Sequence, residues 1–153
     1  MQTTLTRAHE RDLELLLEFM EEYYHFDHLP FDRQKASMAL SQLLKNDALG
    51  SVWLIQAGPA TAGYVVLTHG YSLEYHGRDA FIDELYLREA FRGQGCGRTA
   101  MNLVAEEACR LGVQALHLEV ERENRAAQAF YRKVGFGDHG RYLMTKRLDG
   151  ETA

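Results

Sequence analysis

The stretch from Phe81 to Arg98 decides the fold, and it reads Phe81-Ile82-Asp83-Glu84-Leu85-Tyr86-Leu87-Arg88-Glu89-Ala90-Phe91-Arg92-Gly93-Gln94-Gly95-Cys96-Gly97-Arg98. Residues 81–87 predict a strand, residues 92–97 a glycine-rich loop, and a helix is expected from about Arg98. Glycine allows a ligand close to the backbone. The first amides of a helix lack partners within the helix and carry the positive end of its dipole. The stretch therefore predicts an anion site, most often one for phosphate.

Two common phosphate motifs do not fit this loop. A P-loop requires glycine where Arg92 stands and lysine where Arg98 stands. Residues 95–100 formally match the dinucleotide fingerprint G-x-G-x-x-G/A, with Glu119 and Glu121 roughly 20 residues further on. However, the loop follows a predicted hairpin, and too little chain remains after it for a doubly wound sheet. We therefore reject both motifs.

Length and composition predict one domain over residues 1–153. The chain has 153 residues, 46% of them apolar, and a formal net charge of −5, which argues against nucleic-acid binding. No apolar run approaches the roughly 18 residues of a membrane span, and no secretory signal is visible. Cys96 and Cys109 are too few for a disulfide framework. We expect a cytoplasmic protein that binds neither nucleic acid nor a membrane.

Hydrophobic periodicity and turn signals predict the order β-α-α-β-β-β-α-β-α-β, a mixed α/β fold. Asp32 and Asn124 are expected to cap the second and fourth helices. The predicted strands cover residues 3–6, 51–56, 63–68, 81–87, 114–120 and 142–148. The first predicted helix ends near Tyr24, and the second ends between residues 46 and 50. The third runs from about residue 98 to 112, and the fourth covers residues 125–134.

A second motif lies further along the chain. Residues 124–136, from Asn124 to Phe136, match N-x-x-A-x-x-F-Y-x-K-x-G-F, and residues 92–97 match Q/R-x-x-G-x-G/A. With both motifs at this separation, the chain resembles the GNAT N-acetyltransferase superfamily, most specifically over residues 81–137. The resemblance implies a central mixed, mostly antiparallel sheet with a V-shaped splay on either side of the glycine loop.

The resemblance implies acetyl coenzyme A as cofactor. Its pyrophosphate would lie on the loop amides, and its pantetheine arm would pair with the strand before the loop as an added strand. For Arg92 a phosphate contact, a structural role and a solvated surface position are the alternatives, and Asn124 is equally explained as a helix cap. The cofactor-binding residues so implied are Leu85, Tyr86, Leu87, Arg92, Gly93, Gln94, Gly95, Cys96, Gly97, Arg98, Asn124, Ala127 and Phe130.

By the same resemblance, Tyr131 is the general acid that protonates the departing thiolate. Phe130 and Tyr131 lie about 100° apart on a helix, so we expect Ala126, Phe130 and Val134 to form a core stripe while Tyr131 faces the cofactor cleft. A phenol with a pKa of about 10 stays protonated at neutral pH. The alternative is a half-buried packing tyrosine.

Asp83 and Glu84 are the candidates for the base that accepts the amine proton, because family members often place a carboxylate on this strand. Neighbouring strand residues face opposite sides, so only one of the two is expected in the site. A bulge would change that parity. Glu84 is slightly favoured because it immediately precedes residues 85–87, and an exposed strand carboxylate is the alternative for either.

The acceptor site is expected in the loop between the first two helices, where aromatic and acidic side chains suit an alkylammonium group. Aromatic packing at helix ends explains the same residues. His25 and His28 match no zinc pattern, so no metal site is expected. His117 is predicted to be a surface strand residue, and Cys96 a small loop residue rather than a nucleophile. The candidate acceptor-binding residues are Tyr24, Phe26, Asp27 and Phe31.

The combined prediction is an acetyltransferase that moves an acetyl group directly from acetyl coenzyme A to a primary amine of a small molecule, such as a polyamine, an amino acid or an aminoglycoside. The alternatives are a protein or peptide amine acceptor, and a module that binds acyl coenzyme A without catalysis. A homodimer would follow the habit of the resembled superfamily.

Overall fold

A computed structural model describes residues 2–151 of the chain. The described residues form two compact units, residues 2–119 and 120–151, while a single domain over 1–153 stays a prediction. The larger unit contains the strands β1 (Thr3–Arg7), β2 (Gly50–Ala57), β3 (Ala60–Ser72), β4 (Gly77–Leu87) and β5 (Ala115–His117), and the helices α1 (Leu13–Phe26), α2 (Arg33–Lys45) and α3 (Cys96–Arg110). The smaller unit contains helix α4 (Arg125–Lys133).

The sheet confirms the predicted mixed α/β fold. Its strand order is β1-β2-β3-β4-β5. The first four strands pair antiparallel and β5 runs parallel to β4. Within residues 2–151, no helix is long and apolar enough to cross a membrane.

The predicted strand over residues 142–148 is wrong, since this segment has no strand structure. Tyr142, Leu143, Met144 and Leu148 are largely exposed. A β-prone sequence becomes a strand only where a neighbour pairs with its backbone and covers its side chains. The strand predicted over residues 114–120 shortens for the same reason to the three residues of β5, which pair only with Asp79–Phe81 of β4.

Helices α1 and α2 cover one face of the sheet. Leu16, Leu17 and Phe19 of α1 are fully buried in a cluster that includes Tyr64 and Val66 of β3. Asp32 caps α2 as predicted, because its carboxylate accepts the backbone N–H of Lys35 at 3.1 Å. This cap sets where α2 begins, and therefore which of its residues face the sheet.

Strand β4 has two irregularities that matter for function. β5 pairs only with residues 79–81, so residues 82–87 of β4 have a strand partner only on the β3 side within the described part of the chain. The splay that the resemblance implies would lie at this unpaired edge of β4. On the β3 side, Glu84 lies opposite Val66 and Ile82 opposite Leu67, which leaves Asp83 as the extra residue of a β-bulge.

Candidate active site

The bulge brings two carboxylates to the same cleft. In a regular strand, Asp83 and Glu84 would face opposite sides of the sheet. The extra residue breaks this alternation, and both side chains line one cleft of about 370 Å³. The expectation that only one of them faces the site is therefore wrong, for the reason that the sequence had left open.

The rest of the cleft is largely apolar and belongs to the larger unit. α1 and α2 form its walls, and β3 and β4 form its floor. Besides Asp83 and Glu84, its lining residues are Met20, Tyr24, Phe31, Asp32, Lys35, Ala36, Ala39, Leu40, Leu43 and Val66.

Two phenols hold Glu84 in place. The hydroxyl of Tyr24 donates to Glu84 Oε2 at 2.5 Å, and the hydroxyl of Tyr64 donates to Oε1 at 2.8 Å. Burial raises the pKa of Glu84, and the two hydrogen bonds oppose that rise. Burial, followed by the nearby carboxylate, raises the pKa of both phenols, so both stay protonated at neutral pH.

Asp83 differs from Glu84 in its partners. Its side chain has no hydrogen-bond or ion-pair partner within residues 2–151. It retains solvent-exposed surface, yet surrounding protein atoms displace enough water to raise its pKa. Thus each carboxylate oxygen of Glu84 accepts one hydrogen bond, whereas within residues 2–151 the oxygens of Asp83 accept none.

The predicted acceptor residues divide into two pairs. Tyr24 and Phe31 line the cleft, and their rings meet edge to face with centroids 5.4 Å apart. Phe26 instead lies under the Arg92 guanidinium, 4.4 Å from it, and Asp27 ends α1.

Sequence reasoning missed Tyr64 and Lys35 as parts of this site. Only the pairing of β3 with β4 brings Tyr64 within reach of Glu84, and only the docking of α2 brings Lys35 to the cleft. No local sequence signal marks either residue.

The glycine loop has left-handed backbone at two of its glycines. Gly93 and Gly95 have φ angles of 72° and 82°, a region that residues with a Cβ avoid. A Cβ added at either glycine would meet no atom within 4 Å, so the loop faces open space. Gly95 caps α3, which begins at Cys96, two residues earlier than predicted. The left-handed Gly95 reverses the chain sharply enough for the helix to begin at once.

Two side chains of the loop hydrogen-bond to the backbone that precedes it. Nε of Arg92 donates to the carbonyl of Leu87 at 2.8 Å, and the guanidinium also lies 5.6 Å from the Tyr86 ring. The side-chain amide of Gln94 donates to the carbonyl of Ala90 at 2.8 Å. These contacts favour the structural alternative for Arg92. Cys96 is buried.

A further anchor lies beside the loop. Arg88 pairs with Glu22 of α1 at 2.8 Å and lies 4.5 Å from the Phe19 ring, while the Tyr86 hydroxyl donates to Glu22 at 3.1 Å. This cluster therefore fixes α1 against the chain that follows β4.

In the smaller unit, Asn124 caps α4 by accepting the backbone N–H of Ala127 at 3.1 Å, as predicted. Tyr131 is half-buried, with its ring centroid 5.3 Å from that of Phe130 and 6.0 Å from that of Phe136. The predicted core stripe does not form, since Ala126 is exposed and α4 has no fully buried residue. Instead, the rings of Phe130 and Tyr131 on α4 contact each other, and the Tyr131 ring meets the ring of Phe136, which follows the helix.

The prediction for His117 is correct for the strand, since the residue ends β5, but wrong for the open surface position. Its side chain is 19% exposed, and its Nε2 lies 3.1 Å from a carboxylate oxygen of Asp79. The rings of Tyr75 and Phe81 flank it at 5.3 and 5.2 Å. Alternation with apolar residues predicts exposure only when the opposite face is open to water, and Asp79 and these rings occupy that face. Within residues 2–151, no group of three or more potential metal ligands occurs.

Known proteins share this sequence pattern and fold. The model of the acetyltransferase (GNAT) family matches residues 13–136. The thialysine N-epsilon-acetyltransferase of Bos taurus is 33% identical over 53% of this chain and 47% of its own length, so the chain spans about half of that relative. The Mus musculus protein of the same name is 26% identical over 97% of this chain and 94% of its own.

Solved structures agree on the fold. An integron cassette protein from the mobile metagenome of Cole Harbour Salt Marsh superimposes with a TM-score of 0.84 at 35% identity, covering 94% of this chain and 90% of that one. A predicted acetyltransferase with acetyl-CoA from Clostridium acetobutylicum superimposes with a TM-score of 0.78 at 16% identity, covering 95% and 96%. The family match includes the bulged strand, the glycine loop, α3 and α4, and the chain belongs to the acetyltransferase (GNAT) family.

Proposed function

We propose that this protein transfers the acetyl group of acetyl coenzyme A directly to a primary amine of a small molecule. The observation that carries the proposal is the pair of carboxylates, Asp83 and Glu84, at the floor of a mostly apolar cleft of about 370 Å³. Negative charge in such a cleft attracts an alkylammonium group, and the apolar lining accommodates its carbon chain. The mammalian relatives named for acetylation of thialysine, a small amine, support this acceptor class.

Asp83 is the group that receives the amine. A primary amine with a pKa of about 10.4 is almost fully protonated at pH 7, and releasing its proton costs roughly 4–5 kcal/mol. Asp83 has free oxygens, cleft exposure and a raised pKa, three properties that suit a group accepting this proton directly or through water.

Glu84 acts as a fixed negative charge rather than as the direct proton acceptor. Its two oxygens already accept hydrogen bonds from Tyr24 and Tyr64. Each oxygen keeps a second lone pair, but the two phenols fix the carboxylate in place, and we assign Glu84 the role of strengthening the negative field beside Asp83. This division differs from the slight preference for Glu84 that the sequence alone suggests.

The donor side rests on the glycine loop and on β4. The amides of residues 93–97 would hold the pyrophosphate, and residues 85–87 would pair with the pantetheine arm along the edge that β5 leaves open. In the reaction, the amine nitrogen attacks the thioester carbon, the C–N bond forms and the C–S bond breaks. Asp83 accepts the proton that the ammonium loses before the attack, and the second proton of the attacking nitrogen passes to solvent. Tyr131 donates a proton to the departing thiolate and recovers one from solvent.

Two measurements on the intact protein test this function. Calorimetry should detect binding of acetyl coenzyme A. Release of free coenzyme A thiol should then follow on addition of a polyamine, a diamino acid or an aminoglycoside. Release only with lysyl or N-terminal peptide amines would favour a protein acceptor. Binding without release on any amine would favour a non-catalytic acyl coenzyme A module.

Replacing Tyr131 with Phe tests the assignment of the acid. Because only the hydroxyl is lost, turnover should fall by roughly 10²-fold or more, whereas the dissociation constant for acetyl coenzyme A should stay within about twofold. Turnover equal to that of the unmodified protein would exclude Tyr131 as the acid. Tyr142→Phe, at an exposed ring of the same unit, is the matched control.

We further propose that the protein acts in the cytoplasm and forms a homodimer. Sedimentation of the purified protein tests the dimer directly, and a single species at 17.5 kDa would refute it.

A further inference from the structure

The charges of the acceptor cleft are divided between two elements. The carboxylates of Asp83 and Glu84 belong to the bulge of β4, whereas Lys35 belongs to the first turn of α2. Lys35 is the single cation among the residues that line the cleft, and Asp32 lies one turn before it on the same rim. The residues between the two charged ends, including Met20, Ala36 and Leu40, are apolar.

Lys35 does not neutralise the carboxylates at the floor. Within residues 2–151, its ammonium has no ion-pair or hydrogen-bond partner. The pKa values of Asp83 and Glu84 are both raised, with burial as the largest cause and without a contribution from Lys35. A lysine within a few ångströms would lower the pKa of both groups. Within residues 2–151, no ion pair joins Lys35 to Asp83 or Glu84, so the charges of Lys35 and Asp83 are both available to a ligand.

The other basic residues at the ends of α2 are already paired. Arg33 bonds Glu14 at 2.6 Å, and Lys45 lies 3.3 Å from Glu10. Lys35 thus combines two features that these neighbours lack: a position in the cleft and an unpaired charge.

We propose that Lys35 binds a carboxylate of the acceptor, so that the protein selects amines that also carry an acidic group over amines that do not. This inference rests on the proposed function, whose acceptor amine lies at Asp83. An acceptor that matches both ends has a carboxylate at Lys35, methylenes along the apolar lining and a terminal ammonium at Asp83. The chemical class is that of α,ω-diamino acids, whose α-ammonium would face Asp32. Polyamines lack the group that Lys35 binds.

Matched ligand pairs test this inference without requiring turnover. Calorimetry would compare 2,3-diaminopropionate with ethylenediamine, ornithine with putrescine, and lysine with cadaverine. Each pair differs by one carboxylate. In at least one pair, the diamino acid should bind about tenfold more tightly, as expected for a charge-assisted hydrogen bond. Equal affinities in all three pairs, or no binding by any diamino acid, would overturn the inference.

Variants at Lys35 then assign the preference to this residue. Lys35→Met keeps the chain length and removes the charge, so the preference should fall to about onefold, whereas Lys35→Arg should retain most of it. Lys45→Met, on the same helix but outside the cleft, is the matched control and should leave the preference unchanged. A preference that survives Lys35→Met refutes the assignment.

Failure of this inference and failure of the proposed function give different results. If the diamino acids bind through Lys35 but no thiol is released, acetyl transfer is refuted and the binding site stands. If cadaverine and lysine are acetylated with equal kcat/KM and Lys35→Met changes neither, acetyl transfer stands and the role of Lys35 is refuted.

Discussion

At the scale of single residues, the proposed acetyl transfer depends on how the hydrogen-bond partners of Asp83 and Glu84 differ. They are adjacent in sequence and line one cleft. Two phenols donate hydrogen bonds to Glu84, and within residues 2–151 none donates to Asp83. Burial raises the pKa of both. Adjacent residues of similar chemistry thus have different surroundings, because Glu84 takes part in a hydrogen-bond network and Asp83 does not.

Asp83→Asn should lower kcat/KM for the amine by about 10²-fold, because asparagine keeps the shape and loses the proton-accepting charge. Glu84→Gln should cause a smaller loss, since it weakens the field without removing the direct contact. The measurement is thiol release with the best acceptor at several pH values.

Asp47→Asn provides the control for that comparison, because Asp47 is an exposed carboxylate paired with Arg7. The reverse ranking, with Glu84→Gln near zero activity and Asp83→Asn close to normal, would assign the base to Glu84.

At the scale of elements, the glycine loop and α3 form one unit whose geometry follows from the backbone. Gly95 occupies the left-handed region and caps α3, so the helix amides begin at Cys96 and point out of the loop. The Arg92 and Gln94 side chains fix the loop to the preceding strand and turn. The loop is thus preorganised before a cofactor arrives, which reduces the entropy lost on binding.

Gly95→Ala should destabilise the protein by roughly 1–2 kcal/mol, the cost of left-handed backbone for a residue with a Cβ. It should also weaken acetyl coenzyme A binding, because relief of the strain displaces the first helix amides. Chemical denaturation and calorimetry would measure the two effects.

Gly137→Ala is the matched control for this substitution, since an added Cβ there also meets no atom within 4 Å and its φ is not positive. It should change stability by less than about 0.5 kcal/mol. Equal effects at the two glycines would show that backbone conformation is not the cause at Gly95.

At the scale of the whole molecule, the ionised carboxylate of Asp83 lowers the free energy of unfolding. A carboxyl whose folded pKa is raised binds its proton more tightly in the folded state. Burial of the carboxylate costs no stability below the unfolded pKa. The cost grows as the pH rises from the unfolded pKa to the folded pKa, and it is fully present above the folded pKa. Asp83 follows this pattern. Glu22, whose pKa is lowered chiefly by its hydrogen bond from Arg88, contributes with the opposite sign.

Asp83→Asn should therefore raise Tm at pH 7–8, and the gain should vanish near pH 4. Glu22→Gln should lower Tm at pH 7, and that loss should shrink as the pH falls below the ordinary glutamate range. Thermal unfolding followed by circular dichroism over this pH range measures both. Shifts of the same sign for the two variants would contradict the electrostatic origin of either effect.

Local sequence was sufficient for most of the elements. The caps at Asp32 and Asn124 and the start of α3 beside the glycine loop depend on residues within a few positions of one another. Such short-range geometry follows from backbone sterics and helix periodicity. The segment 142–148 fails this test, because its strand propensity needs a partner that the sequence does not supply locally.

By itself, the sequence determined the mixed fold, the family motifs and the position of the glycine loop before a helix, because each depends on neighbouring residues along the chain. Tertiary structure alone decided that Asp83 and Glu84 share a cleft, that Tyr64 holds Glu84 and that Lys35 lies on the same cleft. The physical reason is register: one extra residue in the β3–β4 pairing changes which face a side chain takes, and no local pattern records that shift.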